Sequence, residues 1–191
     1  MARPLMFRES TPEAAELSRY LREGSDDFVS ARRRITALYL GGTAALGVVA
    51  LYQTGLIKSV PEPPLPFLDA DRVDASGEAY ATLNMPDAVL GMLSYAATLV
   101  LVTAGGRERA KTKPWLPVVA AAKVMLDAAS GAVLTAEQAA KHRAFCSWCL
   151  AAAVTSFLSV PAILPEAGAA ARNIFADGST WFRSRRGRGG K

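Results

Sequence analysis

The sequence predicts an all-α integral membrane protein, a bundle of four spanning helices with both termini on the cytoplasmic side. Three observations predict this fold: the apolar residues fall into four blocks, an acidic stretch separates the first two blocks, and basic residues collect at three places. Hydrophobic residues make up 51% of the 191 residues, which is high for a soluble domain. The alternative is a soluble helical bundle rich in alanine. We disfavour it because Leu, Val, Ile and Phe dominate the blocks.

The four blocks approach the length of a membrane span, since a helix needs about 20 apolar residues to cross the hydrocarbon layer. They cover residues 35–57, 88–104, 115–134 and 144–164. The second block is short, and the third contains two charged residues. The residues before the first block are polar and charged, so this block starts too late and is too long for a secretory signal. We expect it to remain as an anchor.

The basic residues orient the predicted bundle, because Lys and Arg mark the cytoplasmic side of a membrane protein. They precede the first block, fill the connection between the second and third, and crowd the tail: Arg32, Arg33, Arg34, Arg107, Arg109, Lys111, Lys113, Arg183, Arg185, Arg186, Arg188 and Lys191. With four spans, all three groups lie on one side. Residues 58–87 carry six acidic residues against two basic ones and are predicted to form an external loop between helices 1 and 2.

The net charge of +5 and the pI near 9.5 fit this topology without a nucleic-acid partner. Basic residues that flank spans serve orientation and bind anionic lipid headgroups. The Arg/Gly tail resembles a short nucleic-acid-binding segment, but it is weak evidence by itself. We therefore expect membrane lipid as a partner and no nucleic acid.

Outside the spans, the sequence predicts a cytoplasmic N-terminal segment (residues 1–34) with an amphipathic helix and a basic cytoplasmic tail (residues 165–191). Ser10 and Glu13 have the spacing of a capping box, and Gly24 is a stop signal. The start of the tail is predicted to form a loop, followed by an interfacial helix. Residues 35–164 form the membrane domain.

Within the external loop, four prolines between residues 61 and 66 exclude a regular helix. Residues 76–83 are predicted to form a short helix. Pro86 then suits the first turn of the second span, where its missing N–H costs little.

Cys146 and Cys149 are the only cysteines, and the topology places them at the external start of the fourth span. A pair at this spacing closes a small disulfide or opens to two thiols, which suits electron exchange. Free backbone N–H groups and the helix dipole at a helix start stabilise a thiolate. The pair can meet a water-borne protein on one side and a lipid-soluble quinone on the other. The alternative is a pair of buried, inert cysteines; we favour redox use and take both as candidate catalytic residues.

Three other residues near these elements leave alternatives open. His142, the only histidine, is most simply a solvated side chain. It lies on the same helix face as the cysteines only if the fourth helix starts early. A metal site formed by His142 and the two cysteines would lack a fourth ligand. We therefore predict no metal. Lys123 and Asp127 are four residues apart in the third span, where charges are costly and face the bundle interior. They form either a neutralising pair that fixes helix rotation or a polar contact for a quinone headgroup.

This layout resembles the vitamin K epoxide reductase family over about residues 30–165. The matching features are four spans, an external loop after the first, and the segments 72–76, 85–91 and 145–150 with their Cys-x-x-Cys. The resemblance implies that the motif cysteines exchange electrons with a quinone inside the bundle. It also implies that Cys149 is nearest the quinone, that Cys146 is its exchanging partner, that Ser76 is the loop serine, and that Asp87 holds a polar quinone-contacting position.

The sequence departs from the family pattern at the electron relay. In the family, a second cysteine pair in the external loop passes electrons to a thioredoxin-like protein, whereas this loop contains no cysteine. Ala70 and Ala153 stand where a loop cysteine and a quinone-contacting tyrosine are expected, and we see no fused thioredoxin domain. Two hypotheses remain: a thiol:quinone oxidoreductase of the bacterial inner membrane whose external partner attacks Cys146 directly, or a non-catalytic subunit of a larger membrane complex.

Overall fold

The computed structural model describes the backbone of residues 11–186 and the side chains of residues 11–176. Within this part, the regular structure is helical, apart from one isolated bridge between Leu68 and Phe145. The helices are α1 (Pro12–Glu23), α2 (Asp27–Gln53), α3 (Ala70–Asp74), α4 (Asp87–Thr103), α5 (Arg109–Thr112), α6 (Trp115–Glu137) and α7 (Ser147–Arg186). A 3₁₀ turn (Gly77–Tyr80) precedes α4, and a π-helical turn (Gln138–His142) extends α6.

Three helical segments are long and apolar enough to cross a membrane: Asp27–Gln53, Trp115–His142 and Ser147–Ala176. The helix α4 is apolar but shorter, with 17 residues. At 1.5 Å per residue it spans about 26 Å, somewhat less than the hydrocarbon thickness. The prediction of an all-α membrane bundle is therefore confirmed, whereas the side on which each terminus lies remains a prediction.

The four long helices α2, α4, α6 and α7 form the bundle. The helix α7 makes its most extensive contacts with α6 and α2, while α4 packs against α2 and α6. Their shared core includes Ile35, Tyr39, Val124 and Ile163. Large apolar side chains also point outward along these helices: Leu40, Leu93, Val100, Leu126, Val133, Phe157 and Leu158. Helices that are apolar all round, inside and outside, are typical of membrane spans.

The short helix α1 has a capping residue at each end. The side chain of Thr11 accepts a hydrogen bond from the N–H of Ala14, and Gly24 follows the last turn, as predicted. The other predicted cap, Ser10, lies outside the described residues. The observed cap is a neighbouring residue of the same chemical type.

At the opposite end of α2, the chain is irregular through the proline-rich stretch, as predicted. The short helix expected over residues 76–83 is present as the 3₁₀ turn, and Pro86 directly precedes α4. These elements cover the end of the bundle that holds Cys146 and Cys149, which we call the cysteine end.

The loop predicted at the start of the tail is wrong, because α7 continues without interruption through Pro161 and Pro165 to Arg186. Each proline removes one helical hydrogen bond, which normally weakens a helix interior. Here tertiary packing overrides that local preference: Ile163, Ala167 and Ala170 are buried against the bundle. The helix therefore carries Glu166 into the protein.

Glu166 organises the other end of the bundle, which we call the arginine end. Its two carboxylate oxygens accept hydrogen bonds from the guanidinium groups of Arg32 and Arg109, including Arg109 Nε and Nη2 at 2.8 Å each. All three side chains are buried. Arg109 also donates to the carbonyl oxygens that end α4. Two arginines that the sequence assigned to membrane orientation thus tie α2, α5 and α7 together.

Candidate active site

The two cysteines lie on either side of the start of α7. Cys146 precedes the helix and is fully buried, while Cys149 lies in the first turn and is partly exposed. Both are free thiols, and the N–H of Cys149 donates to Cys146 Sγ at 3.2 Å. The helix starts too late for His142 to share a face with the pair. Cys146 is instead fixed by Gln138, whose side-chain oxygen accepts its N–H at 3.0 Å.

A carboxylate from the segment between α2 and α4 completes this cluster. Asp74, the last residue of α3, accepts a hydrogen bond from Cys149 Sγ at a sulfur–oxygen distance of 3.5 Å. Asp74 is 2% exposed, and an oxygen of its carboxylate lies within 4.8 Å of both sulfurs. Burial raises the pKa of Asp74 to about 6, even though hydrogen bonds from the thiols lower it. A carboxylate in this state can exchange a proton near neutral pH.

A cavity of about 160 Å³ extends from the cysteine end into the bundle. Cys149 and Asp74 line its outer part, while Tyr95, Asp127 and Ala153 line it within the spans. A cavity of roughly this size binds one benzene in another protein. The space therefore admits an aromatic ring in reach of Cys149.

Gln53 holds one wall of this cavity in place. Its side-chain nitrogen donates to the carboxylate of Asp87 at 2.6 Å, and its side-chain oxygen accepts the N–H of Ala88. It also donates weakly to the backbone oxygen of Asp74 at 3.4 Å. The predicted site residue Asp87 thus lines the cavity with one carboxylate oxygen already engaged.

Asp127 lies deeper and is the centre of a polar network between helices. It accepts hydrogen bonds from Tyr39 of α2, Ser94 and Thr98 of α4, and Lys123 of its own helix, the last at 2.5 Å. The predicted Lys123–Asp127 pair is therefore formed. Asp127 also lines the cavity, whereas Lys123 contacts it only through Ser94 and Asp127.

A comparison with protein families identifies the family of the chain. The family model described as vitamin K epoxide reductase family matches residues 33–164, which is more than half of the chain. The chain belongs to the vitamin K epoxide reductase family. Comparisons with curated proteins and with solved structures gave no match. The resemblance drawn from the cysteine motif and the span layout is thus confirmed, and membership supports membrane thiol:quinone chemistry at a coarse level.

Family membership makes the departures of this chain informative. Ser76 lines the rim of the cavity, but the side chain that accepts a hydrogen bond from a cysteine sulfur is Asp74, two residues before it. Ala153, where the resemblance led us to expect a tyrosine, lines the cavity and packs directly against Gly131, where an added Cβ would lie 3.2 Å from Ala153 Cβ. Ala70 is fully buried at the start of α3. None of these positions supplies a cysteine beyond Cys146 and Cys149.

Residues 58–69, which we call the cover, lie over the start of α7. Glu62 accepts hydrogen bonds from the N–H and hydroxyl of Ser147 at 3.2 and 3.0 Å, and from the N–H of Ala70 at 2.5 Å. Trp148 donates its indole N–H to the carbonyl of Pro61 at 2.6 Å. A carboxylate at a helix N-terminus also interacts favourably with the helix dipole. The cover therefore closes the approach to Cys146 from the cysteine end.

We expect Glu62→Ala to increase the alkylation rate of Cys146 by N-ethylmaleimide about tenfold. Hydrogen bonds to a charged acceptor contribute roughly 1.5–3 kcal/mol, so their loss raises the population in which the cover is open. The measurement is a time course of Cys146 labelling by peptide mass spectrometry in detergent. Lys58→Ala, at an exposed position of the same segment, is the control. Equal labelling rates in Glu62→Ala and the unmodified protein would show that Glu62 does not hold the cover.

Sequence reasoning found the cysteines, Asp87 and Asp127, but it missed Asp74, Gln53 and Glu62. Asp74 and Glu62 were counted among six acidic residues of the loop, of which the resemblance singled out only Asp87. Gln53 is a polar residue within the first apolar block. A polar side chain in an apolar block indicates a buried hydrogen bond, but the sequence does not show which residue accepts or donates it.

Proposed function

We propose that the protein is a membrane thiol:quinone oxidoreductase in which Cys146 and Cys149 alternate between dithiol and disulfide. The observation that carries the proposal is that Cys149 lines an internal cavity of the bundle. A quinone ring in this cavity would lie beside the sulfur, with Asp87 and Asp127 among the polar groups available to its oxygens. Family membership supports the same chemistry.

The two cysteines have different surroundings, which supports different roles. Cys149 faces the cavity, whereas Cys146 is buried beneath the cover and does not line the cavity. Cys149 would thus deliver electrons to the quinone, and Cys146 would exchange disulfides with an external thioredoxin-like protein. Because the chain has no further cysteine, that partner must reach Cys146 directly when the cover opens. We place the protein in the bacterial inner membrane, surrounded by lipid, with its cysteine end facing outward.

The test is a single turnover of the purified protein in mild detergent. The reduced protein is mixed with one equivalent of 2-methyl-1,4-naphthoquinone, and quinone absorbance and free thiols are followed together. We expect one quinone reduced for each two thiols lost. Extraction of the protein as isolated should also yield a bound quinone. If the thiols persist while quinone remains oxidised, the proposed function is wrong.

Ala153→Phe should reduce the rate of that turnover at least tenfold, because the larger side chain occupies the space proposed for the ring. Its thiols should still form a disulfide with a small chemical oxidant, since the cysteines themselves are unchanged. Ala151→Phe is the matched control: it lies on the same helix at an exposed position. A quinone reduction rate in Ala153→Phe equal to that of Ala151→Phe would remove the cavity from the proposal.

A second candidate function is that of a non-catalytic subunit of a larger membrane complex. The complete burial of Cys146 under the cover, together with the lack of loop cysteines, favours it. This hypothesis expects co-purification with a large assembly whose activity does not change when both cysteines are replaced with serine. Full quinone reduction by the isolated chain would contradict it.

A further inference from the structure

Oxidation of a dithiol by a quinone is a proton transfer as well as an electron transfer. Two S–H bonds break, one S–S bond forms, and two electrons and two protons reach the quinone to give a quinol. A thiol donates electrons as its thiolate, so the reaction needs a group that removes a proton from sulfur. Asp74 has one carboxylate oxygen 3.5 Å from Cys149 Sγ and already accepts a hydrogen bond from it.

The other oxygen of Asp74 is also informative. Oδ2 is buried and has no hydrogen-bond partner within the described part of the chain. A buried, unpaired carboxylate oxygen carries a free-energy cost that proteins rarely accept without a function. Because Asp74 lines the cavity, this carboxylate contacts both the sulfur and the space proposed for the substrate.

We propose that Asp74 is the catalytic base of the dithiol oxidation, accepting the proton of Cys149 and passing it to an oxygen of the bound quinone. This inference rests on the proposed function. In the step, the S–H bond of Cys149 breaks and an O–H bond forms on Asp74. The electron pair left on sulfur becomes available for the reduction, and delivery of the proton to the quinone oxygen regenerates the carboxylate. As the S–S bond forms, the S–H bond of Cys146 breaks, and the regenerated carboxylate of Asp74, which lies within 4.8 Å of both sulfurs, accepts this proton and passes it to the second quinone oxygen. Two electrons and two protons thus reach the quinone.

The other carboxylates near the pair are engaged elsewhere. Asp87 is bonded to Gln53, Glu62 to Ser147 and Ala70, and Asp127 to the network that includes Lys123. No other carboxylate among the described residues forms a hydrogen bond with a cysteine sulfur. Asp74 alone is both bonded to the reacting sulfur and left with a free oxygen.

The titrating groups around Asp74 set the design of a pH experiment. Cys146 and Cys149 face it from the start of α7, Asp87 from α4, and Glu62 from the cover. The rim of the cavity adds further charged or titratable groups, namely Glu78, Glu137, Lys141 and His142. His142 is the only histidine of the sequence, so a separate variant tests its contribution. Burial raises the pKa of Asp74 to about 6, so its base form is lost as the pH falls below that value.

The experiment measures the pH dependence of single-turnover reduction of 2-methyl-1,4-naphthoquinone by the reduced full-length protein. In the unmodified protein, we expect the rate to fall below a midpoint near pH 6. In Asp74→Asn, the rate at pH 7.5 should fall about 100-fold, within the usual range for loss of a general base, and the midpoint should disappear. His142→Asn should keep the midpoint. Asp71→Asn is the matched control, because Asp71 lies on α3 and its side chain contacts Val60 rather than the cysteines.

A second variant separates base catalysis from a structural role. In Asp74→Ala, added formate should restore part of the rate in proportion to its concentration, as a small external base occupies the vacated space. A role limited to holding the loop in place gives no such rescue.

The outcomes are distinguishable. If the unmodified protein does not reduce the quinone at all, the proposed function fails. If it does, but its rate shows no midpoint near pH 6, or if Asp74→Asn retains its rate and pH profile, the assignment of Asp74 is overturned while the proposed function stands. The profile of the unmodified protein tests the inference even if an Asp74 variant does not fold.

Discussion

Replacement of Cys149 with serine is expected to abolish quinone reduction, leaving only the uncatalysed background. Cys149 carries the sulfur that lines the cavity, and a serine hydroxyl does not form a disulfide or act as a two-electron donor. The measurement is the single turnover with 2-methyl-1,4-naphthoquinone described above, with thiol content determined in parallel.

The matched variant Cys146→Ser also lacks a disulfide partner, so turnover alone does not separate the two roles. Trapping does. In Cys149→Ser, the remaining Cys146 should form a stable mixed disulfide with a thioredoxin-like protein, because no second thiol resolves it. In Cys146→Ser, the naphthoquinone should protect Cys149 from maleimide. Normal turnover of Cys149→Ser would refute the redox hypothesis, and mixed disulfides at Cys149 rather than Cys146 would reverse the roles.

Replacement of Glu166 with glutamine is expected to destabilise the protein by about 3–5 kcal/mol, the usual cost of removing one partner from a buried ion pair. Glutamine keeps the shape of the side chain but removes the charge that compensates Arg32 and Arg109 in the interior. In a chain of this size, such a loss corresponds to a Tm decrease of roughly 10 °C. Thermal unfolding in detergent, followed by circular dichroism, measures it.

Glu137→Gln is the control for this substitution, because it makes the same chemical change in an exposed pair. Glu137 and Lys141 are separated by 3.2 Å, and both side chains are almost half exposed. Such pairs contribute about 0–1 kcal/mol. If the Tm of Glu166→Gln falls no further than that of Glu137→Gln, the cluster at the arginine end does not stabilise the fold.

The sequence was sufficient for the membrane fold because hydrophobic blocks are a local property of the chain. The third block predicted α6 closely, and the polar segments predicted where the helices are interrupted. The same logic failed beyond Pro165, because local proline signals predict a helix end, whereas burial of Glu166 and Ala167 favours its continuation. Local preference and tertiary packing opposed each other there, and packing prevailed.

In the candidate site, too, short spacings were predictable from the sequence and long-range contacts were not. The sequence predicted that Cys146 and Cys149 lie close together and that Lys123 pairs with Asp127, because residues three or four apart are neighbours on a helix. Asp74 and Cys149 are 75 residues apart, and their contact depends on how the segment between α2 and α4 folds onto the start of α7. No periodicity of the sequence encodes that distance.

By itself, then, the sequence determined that this protein is a helical membrane bundle with one pair of redox-capable sulfurs, since composition and short spacings are enough for both. Only the tertiary structure decided which carboxylate lies beside the sulfur, which cysteine faces the cavity, and which arginines are buried with Glu166. The physical reason is that these contacts join side chains far apart in the chain, and the packing of the helices and the loop alone brings them within hydrogen-bonding distance.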